Sequence, residues 1–243
     1  MTISGQFHYG SETALKRALS RVPTIFFQLF YHHLAGFYDR VTGEISMGHW
    51  QAWLGATLPY LEGPRVLEIG HGTGILQDLM AQRGLWCVGL DSSRQMGELT
   101  RRRLQPLQPA ALLVRALAQQ APFPANYFHQ VVATFPGDYF LDQPVLSEVY
   151  RLLAPGGRLV LLPFGWITNH DGGHRLMAWV YRLVGQAPAL DQPAVLDRFA
   201  DPFQQAGFSV VFHQVDLPSS SLLLIVGKKL PEDHQKKNFE LES

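Results

Sequence analysis

Short apolar runs and amphipathic stretches follow one another along most of this chain. The runs at 65–69, 86–90, 111–115, 129–134 and 157–163 have the length and continuity of buried strands, and two more lie at 208–217 and 220–228. Between them, 74–83, 93–104, 143–153 and 192–206 repeat apolar side chains at helical spacing. Strand and helix in alternation imply a mostly parallel sheet joined by crossover helices. Only Leu217-Pro218-Ser219-Ser220 separates the last two runs, so they pair as an antiparallel hairpin at one edge. The expected fold class is α/β: a mostly parallel seven-stranded sheet with a C-terminal antiparallel hairpin, preceded by N-terminal helices.

No strand pattern precedes residue 65. Residues 1–22 form a loose leader with a short helical piece, Ala14 to Leu19. Pro23 then opens a pattern with Ile25, Phe26, Leu29, Phe30, His33, Leu34 and Phe37 on one face. Glu44 to Leu61 aligns Met47, Trp50, Trp53, Leu54, Leu58 and Leu61 on a face of its own. Residues 1–62 are therefore expected to be a helical cap on a domain spanning 63–229, with 230–243 a charged, disordered tail. Segment 164–191 interrupts the alternation: Asp171-Gly172-Gly173 breaks the chain, and Leu176, Trp179, Val180, Leu183 and Val184 make a short amphipathic helix. Ligands of open α/β sheets bind outside the carboxyl ends of the strands. This insertion follows such an end, so it is expected to wall a pocket beside the N-terminal helices, with simple capping of the sheet as the plain alternative.

A chain of 243 residues suits one α/β domain with embellishments. Lys+Arg and Asp+Glu are both 20, so no excess charge argues for nucleic acid or an anionic membrane. The single Cys87 lies in an apolar run, which leaves no intramolecular disulfide and no cysteine metal cluster. No apolar run reaches the ~18 residues of a membrane span, and the polar start is not a signal peptide. The expectation is a soluble, cytoplasmic protein without an integral membrane segment.

The candidate chemistry concentrates at Arg65 to Gly74, R-V-L-E-I-G-H-G-T-G. Val66, Leu67 and Ile69 end at Gly70, Gly72 and Gly74, and a helical pattern then begins: strand, glycine turn, helix. Such a turn lets backbone approach a ligand closely. A dinucleotide fingerprint would read G-x-G-x-x-G, whereas this spacing is E-x-G-x-G-x-G. Glu68 at the strand tip would repel a pyrophosphate but could accept hydrogen bonds from an ammonium group or from the loop amides. A second acid, Asp91, ends the next run about 20 residues beyond the loop, where a carboxylate can hold ribose hydroxyls. Ser92 after it reads as an N-cap, with Gln95 completing a capping box.

These two segments resemble motif I and the ribose-binding acid of class I S-adenosylmethionine-dependent methyltransferases. Ala121 to Val132, A-P-F-P-A-N-Y-F-H-Q-V-V, and Leu146 to Leu159, L-S-E-V-Y-R-L-L-A-P-G-G-R-L, are similar to that family's fourth-strand region and to its helix, Pro-Gly-Gly turn and fifth strand, in the small-molecule branch called methyltransferase type 11. The resemblance spans roughly residues 60 to 165 and implies a Rossmann-like sheet whose terminal hairpin distinguishes it from ordinary dinucleotide folds. It implies S-adenosylmethionine as cofactor, held by Glu68, Gly70, His71, Gly72, Gly74, Asp91 and Ser92, with Leu117 and Ala118 beside the adenine and Thr134 and Tyr38 near the methionine end. Where the family has an Asp-Ala pair after the third strand, this chain has Leu117-Ala118 and lacks that acceptor for the adenine amine. Thr134-Phe135-Pro136-Gly137 also departs from the Asn/Asp-Pro-Pro-aromatic motif used on nucleic-acid bases.

Methyl transfer from a sulfonium needs a nucleophile held in line with water excluded, and a base only where the acceptor must lose a proton. His71, Asp138 and Tyr139 are the candidates for such a group, with turn chemistry as the bland reading of Gly137-Asp138. His170 and His174 have metal-like spacing, but two intervening glycines and the want of further ligands leave no metal site expected. The reading reached is methylation of a small, apolar or aromatic acceptor such as a quinone, lipid or secondary metabolite. A noncatalytic cofactor-binding or partner-binding module and a nicotinamide-dependent oxidoreductase are the alternatives.

Overall fold

The computed structural model describes residues 49–106, 111–168 and 200–230. The expected leader, the Pro23 helix, most of the 164–191 insertion and the tail lie outside these residues. One seven-stranded sheet runs through the molecule: β1 (Val66–Ile69), β2 (Cys87–Asp91), β3 (Leu113–Arg115), β4 (Phe128–Thr134), β5 (Leu153–Ile167), β6 (Phe208–Leu217) and β7 (Ser220–Lys229), in the order β3-β2-β1-β4-β5-β7-β6. β1 to β5 are parallel, and β7 runs antiparallel to both β5 and β6. The expected sheet and terminal hairpin are both present.

The helices are α1 (Trp50–Gly55), α2 (Ile75–Gln82), α3 (Arg94–Leu104) and α4 (Gln143–Leu152), with residues 200–205 also helical. Side chains alternate across each strand, so the sheet buries two apolar layers. Val66, Val132, Val160, Leu162, Leu222 and Leu224 face Trp53, Leu54 and Leu58 of the α1 region and Ile75, Leu76 and Met80 of α2. On the other face Leu67, Ile69, Val131, Ala133, Leu159 and Leu161 pack under Val145, Leu146, Val149 and Leu152 of α4 and under Phe203. No helix among the described residues is long and apolar enough to cross a membrane.

Two boundaries depart from expectation. β5 begins at Leu153 rather than 157, because Leu153 pairs with Phe128 ahead of the irregularity at Pro155-Gly156-Gly157. It continues to Ile167 because β7 goes on pairing with it, Gly165 to Leu222 and Ile167 to Ser220. The single face expected over Glu44 to Leu61 is divided: α1 stops at Gly55, and a 3-10 turn, Leu58–Tyr60, follows. Pro59 in that turn has no N–H to continue an α-helical ladder. Its apolar residues still reach one core, since Trp53, Leu54, Leu58 and Leu61 are all buried together.

At the amino end of the parallel strands, away from the glycine loop, the buried Lys229 closes the structure. Its ammonium donates to Asn126 Oδ1 at 2.7 Å and to the Tyr150 and Leu153 carbonyls at 2.8 Å, and lies 4.5 Å from the Tyr150 ring centroid. A cation there suits the carbonyl end of α4. Replacing it by an isosteric apolar side chain strands those acceptors. K229M is expected to lower the unfolding free energy by about 3 kcal/mol, read from urea denaturation as a lower midpoint at unchanged slope.

Candidate functional site

β1 delivers its last side chain at Ile69, and the next five residues are folded by three left-handed glycines, Gly70 (φ 74°), Gly72 (φ 53°) and Gly74 (φ 81°). At Gly74 space matters as well as conformation, because a Cβ there would sit 2.5 Å from Thr100 Cγ2 on α3. The loop amides are distributed inward: Gly70 N–H donates to the Leu90 carbonyl at 2.7 Å, Gly74 N–H to the His71 carbonyl at 2.9 Å, and Gly72 N–H to Asp91 Oδ2 at 2.9 Å. Glu68 takes none of these three. Asp91 is thus the acid that receives the loop, and Glu68 is left facing elsewhere.

Asp91 also directs the chain beyond β2. Its Oδ1 accepts the Ser93 N–H at 2.8 Å, and Ser93, in extended conformation, is the N-cap of α3, its Oγ accepting the Met96 N–H at 3.3 Å. This corrects the capping box expected on Ser92 and Gln95. The turn made by the Asp91 carboxylate carries the chain one residue further before the helix starts, and the Ser92 carbonyl instead accepts from Arg115 Nε at 3.0 Å.

Glu68 is 1% exposed and its Oε2 has no hydrogen-bond partner. Burial pushes its carboxyl up to about 8, against the Gln77 amide that lowers it and with Asp91 adding to the rise. Cys87 lies on the same side, its thiol pushed up by burial and by Glu68 and contacted by Gln77 Nε2 at 3.2 Å. An unpartnered buried carboxyl oxygen is costly, so it marks a place where a donor belongs.

His71 turns into the protein. Its Nδ1 is 3.0 Å from the Gly72 carbonyl and 3.1 Å from Thr100 Oγ1, and that hydroxyl donates to the same carbonyl at 2.8 Å. Burial pushes the imidazole below its ordinary value, so it stays neutral and gives its Nδ1 proton to the loop. Tyr139 lies across the opposite side: a Cβ at Gly70 would be 3.7 Å from its hydroxyl. Although Tyr139 is 39% exposed as a residue, desolvation of its phenol, reinforced by Asp91, pushes it up to about 12, so it keeps its proton.

Of the remaining expected residues, Thr134 ends β4 half-buried, Leu117 is exposed and precedes the 3-10 turn Ala118–Gln120, and Ala118 is buried. Asp138 begins the 3-10 turn Asp138–Leu141 that carries Tyr139. Tyr38, His170 and His174 lie outside the described residues. No cluster of His, Cys, Asp and Glu suited to a metal occurs among those described. Sequence reasoning passed over Gln77 and Thr100, polar residues on otherwise apolar helix faces; Thr100 stands one turn from both Met96 and Leu104, and that spacing was the available signal. It also passed over the conformation of Phe135, which has φ 47° and which no pattern announces.

Residues 66–157 match the family model described as a methyltransferase domain. A demethylmenaquinone methyltransferase of Symbiobacterium thermophilum is 27% identical over 231 residues, covering 83% of this chain and 92% of that protein. A ubiquinone/menaquinone biosynthesis C-methyltransferase of Neisseria gonorrhoeae is 32% identical over 208 residues, 81% of each chain. Among solved structures, a Thermotoga maritima SAM-dependent methyltransferase, described as a possible histamine N-methyltransferase, aligns with a TM-score of 0.56 at 19% identity, covering 83% of this chain and 98% of that one. At that identity the likeness is one of fold.

The Glu68 carboxyl gives a pH signature. Unfolded, it releases its proton near an ordinary 4.5; folded, near 8. Between those values the native state holds more protons, so this group's contribution to stability falls as pH rises. E68Q without ligand is expected to match the wild type at pH 5 and to melt several degrees higher at pH 8.5 in scanning calorimetry. Parallel melting curves at both pH values would show that the carboxyl does not titrate in this way.

Proposed function

Since the chain belongs to the class I S-adenosylmethionine-dependent methyltransferases and takes its methyl group from S-adenosylmethionine, we propose that its acceptor is a quinone-type molecule in its reduced form, methylated on a ring carbon. The observation that carries this acceptor class is the likeness to the Neisseria gonorrhoeae C-methyltransferase along four-fifths of both chains. The Symbiobacterium relative, also named for a quinone acceptor, points the same way.

The residues present fit the donor. Glu68 Oε2, buried and without a partner, offers an acceptor for the ammonium of the methionine end, and a cation brought there would favour the ionised carboxyl over the neutral one. Asp91 retains lone pairs beyond those given to Gly72 and Ser93, and these would hold ribose hydroxyls. Gly70, Gly72 and Gly74 let the backbone lie close to the ligand, with the main chain of His71 and with Ser92 completing its rim. Leu117 and Ala118 would contact the adenine through apolar surface, with Thr134 and Tyr38 toward the methionine end. When bound, the sulfonium supplies an electrophilic methyl group that an electron-rich ring carbon can take in line.

The chain's own part is to bind, orient and keep water out. Tyr139 holds its proton and can donate a hydrogen bond from its place over Gly70. His71 is buried and its imidazole is pushed below the ordinary value, which makes it a weak base with little access to an acceptor. An electron-rich ring needs no base before the methyl arrives, and its proton can leave to solvent afterwards.

Two measurements test this. Calorimetric titration with S-adenosylhomocysteine should show binding that weakens at least tenfold in D91A, about 1.4 kcal/mol or more. Radiolabelled S-adenosylmethionine should then pass its methyl group to a short-chain naphthoquinol with an unsubstituted ring position. Binding of the homocysteine product without transfer to any quinol would overturn the acceptor assignment and favour a noncatalytic module.

A further inference from the structure

β4 ends in an unusual way. Val132 faces the α1 and α2 layer and Ala133 the α4 layer, so a strand continued past Thr134 would send Phe135 toward α4. Instead Phe135 adopts φ 47°, and its ring packs on the α1 layer. A left-handed conformation at a bulky non-glycine residue costs about 1–2 kcal/mol, and such residues gather at ligand sites. The Phe135 N–H donates to the Leu162 carbonyl at 2.7 Å, which fixes the turn at the carboxyl edge of the sheet.

The rings it meets are held unequally. Trp53 is 2% exposed, donates its indole N–H to Ser220 Oγ at 2.8 Å, and fits against Gly165, where a Cβ would stand 3.4 Å from its ring. It is the anchored member, 5.8 Å from Phe135. Trp50, half-buried, lies 4.6 Å from Phe135 at 30° between ring planes. Phe135 is therefore turned out of the α4 core, backed by a pinned indole, and half-exposed on the edge where α/β sheets take their ligands.

We propose that Phe135, with Trp50 against it, is the specificity-determining wall on which a flat acceptor ring rests, and that it selects fused or single aromatic rings over aliphatic acceptors. This rests on the quinol reading above and adds the residues that would enforce it. Offset stacking on a preset ring needs no charged group, and the backing of Trp53 makes the wall rigid.

The test uses F135G, which removes the ring and relieves the left-handed backbone at once, so loss of fold is not the expected outcome. With S-adenosylhomocysteine bound, a short-chain naphthoquinol is titrated against tryptophan fluorescence in wild type, F135G and F135Y, and KM and kcat are measured by radiolabelled transfer. The expected result is at least a tenfold rise in both Kd and KM for the quinol in F135G, with kcat changed less and the S-adenosylhomocysteine Kd within twofold. Cooperative melting is retained at a temperature lowered by a few degrees, since lost ring packing outweighs the relieved backbone. F135Y should stay close to wild type. Wild-type quinol affinity in F135G would overturn the wall, even where methyl transfer proceeds. Quinol binding that depends on Phe135 without any transfer would uphold the wall and sink the methylation reading alone.

Discussion

The Gly72 N–H to Asp91 Oδ2 bond, 2.9 Å long, joins the loop after β1 to the end of β2, and the site depends on it. Parallel register brings Ile69 beside Leu90, so the two strands finish together and Asp91 arrives level with the loop. The same carboxylate holds the Ser93 N–H and so sets where α3 begins. α3 in turn brings Thr100 to the Gly72 carbonyl and beside Gly74. One acid thereby fixes the loop and the helix that packs against it.

Its charge reaches further than its bonds. Burial sets the protonation states of Glu68, Tyr139 and His71, and Asp91 adds to the rise of the first two and works against the lowering of the third. Two arginines tie the same region to the backbone: Arg103 Nε donates to the Thr73 carbonyl and Arg115 Nε to the Ser92 carbonyl. Asp91 itself is held by the Gly72 and Ser93 amides. A buried acid with an unused oxygen is an expensive feature in an empty core, and it becomes favourable once a positive group sits beside it.

Much of this was legible in the chain. Continuous apolar runs gave β1, β2 and β4 to within a residue, since strands buried on both faces admit few polar positions. Glycine spacing and the two acids marked the loop for the same reason: they break the pattern where backbone must bend or a charge must be held. What escaped was anything decided across the sheet. Ser93 rather than Ser92 caps α3 because of a carboxylate turn, and β5 extends because β7 pairs with it. Lys229 reads as one more charge near a polar tail, and only the fold brings it to Asn126 and to the Tyr150 and Leu153 carbonyls. The Phe135 turn leaves no trace, since local sequence favours a φ above zero at Gly137 two residues later, not at Phe135.

The terminal hairpin explains why these features share one edge. An antiparallel β7 starts where the parallel strands finish, so Ser220 pairs with Ile167 at the ligand end of the sheet. A parallel strand in that place would have begun at the far end and put its opening serine there. Ser220 is consequently available to the Trp53 indole, which fixes α1 over β5 and backs the Phe135 ring. The glycine loop of β1 and the aromatic wall beyond β4 then stand on adjacent strands, β1 pairing directly with β4. The hairpin that separates this fold from dinucleotide-binding sheets also supplies the anchor for its aromatic wall, so topology and acceptor chemistry are linked through a single buried hydrogen bond.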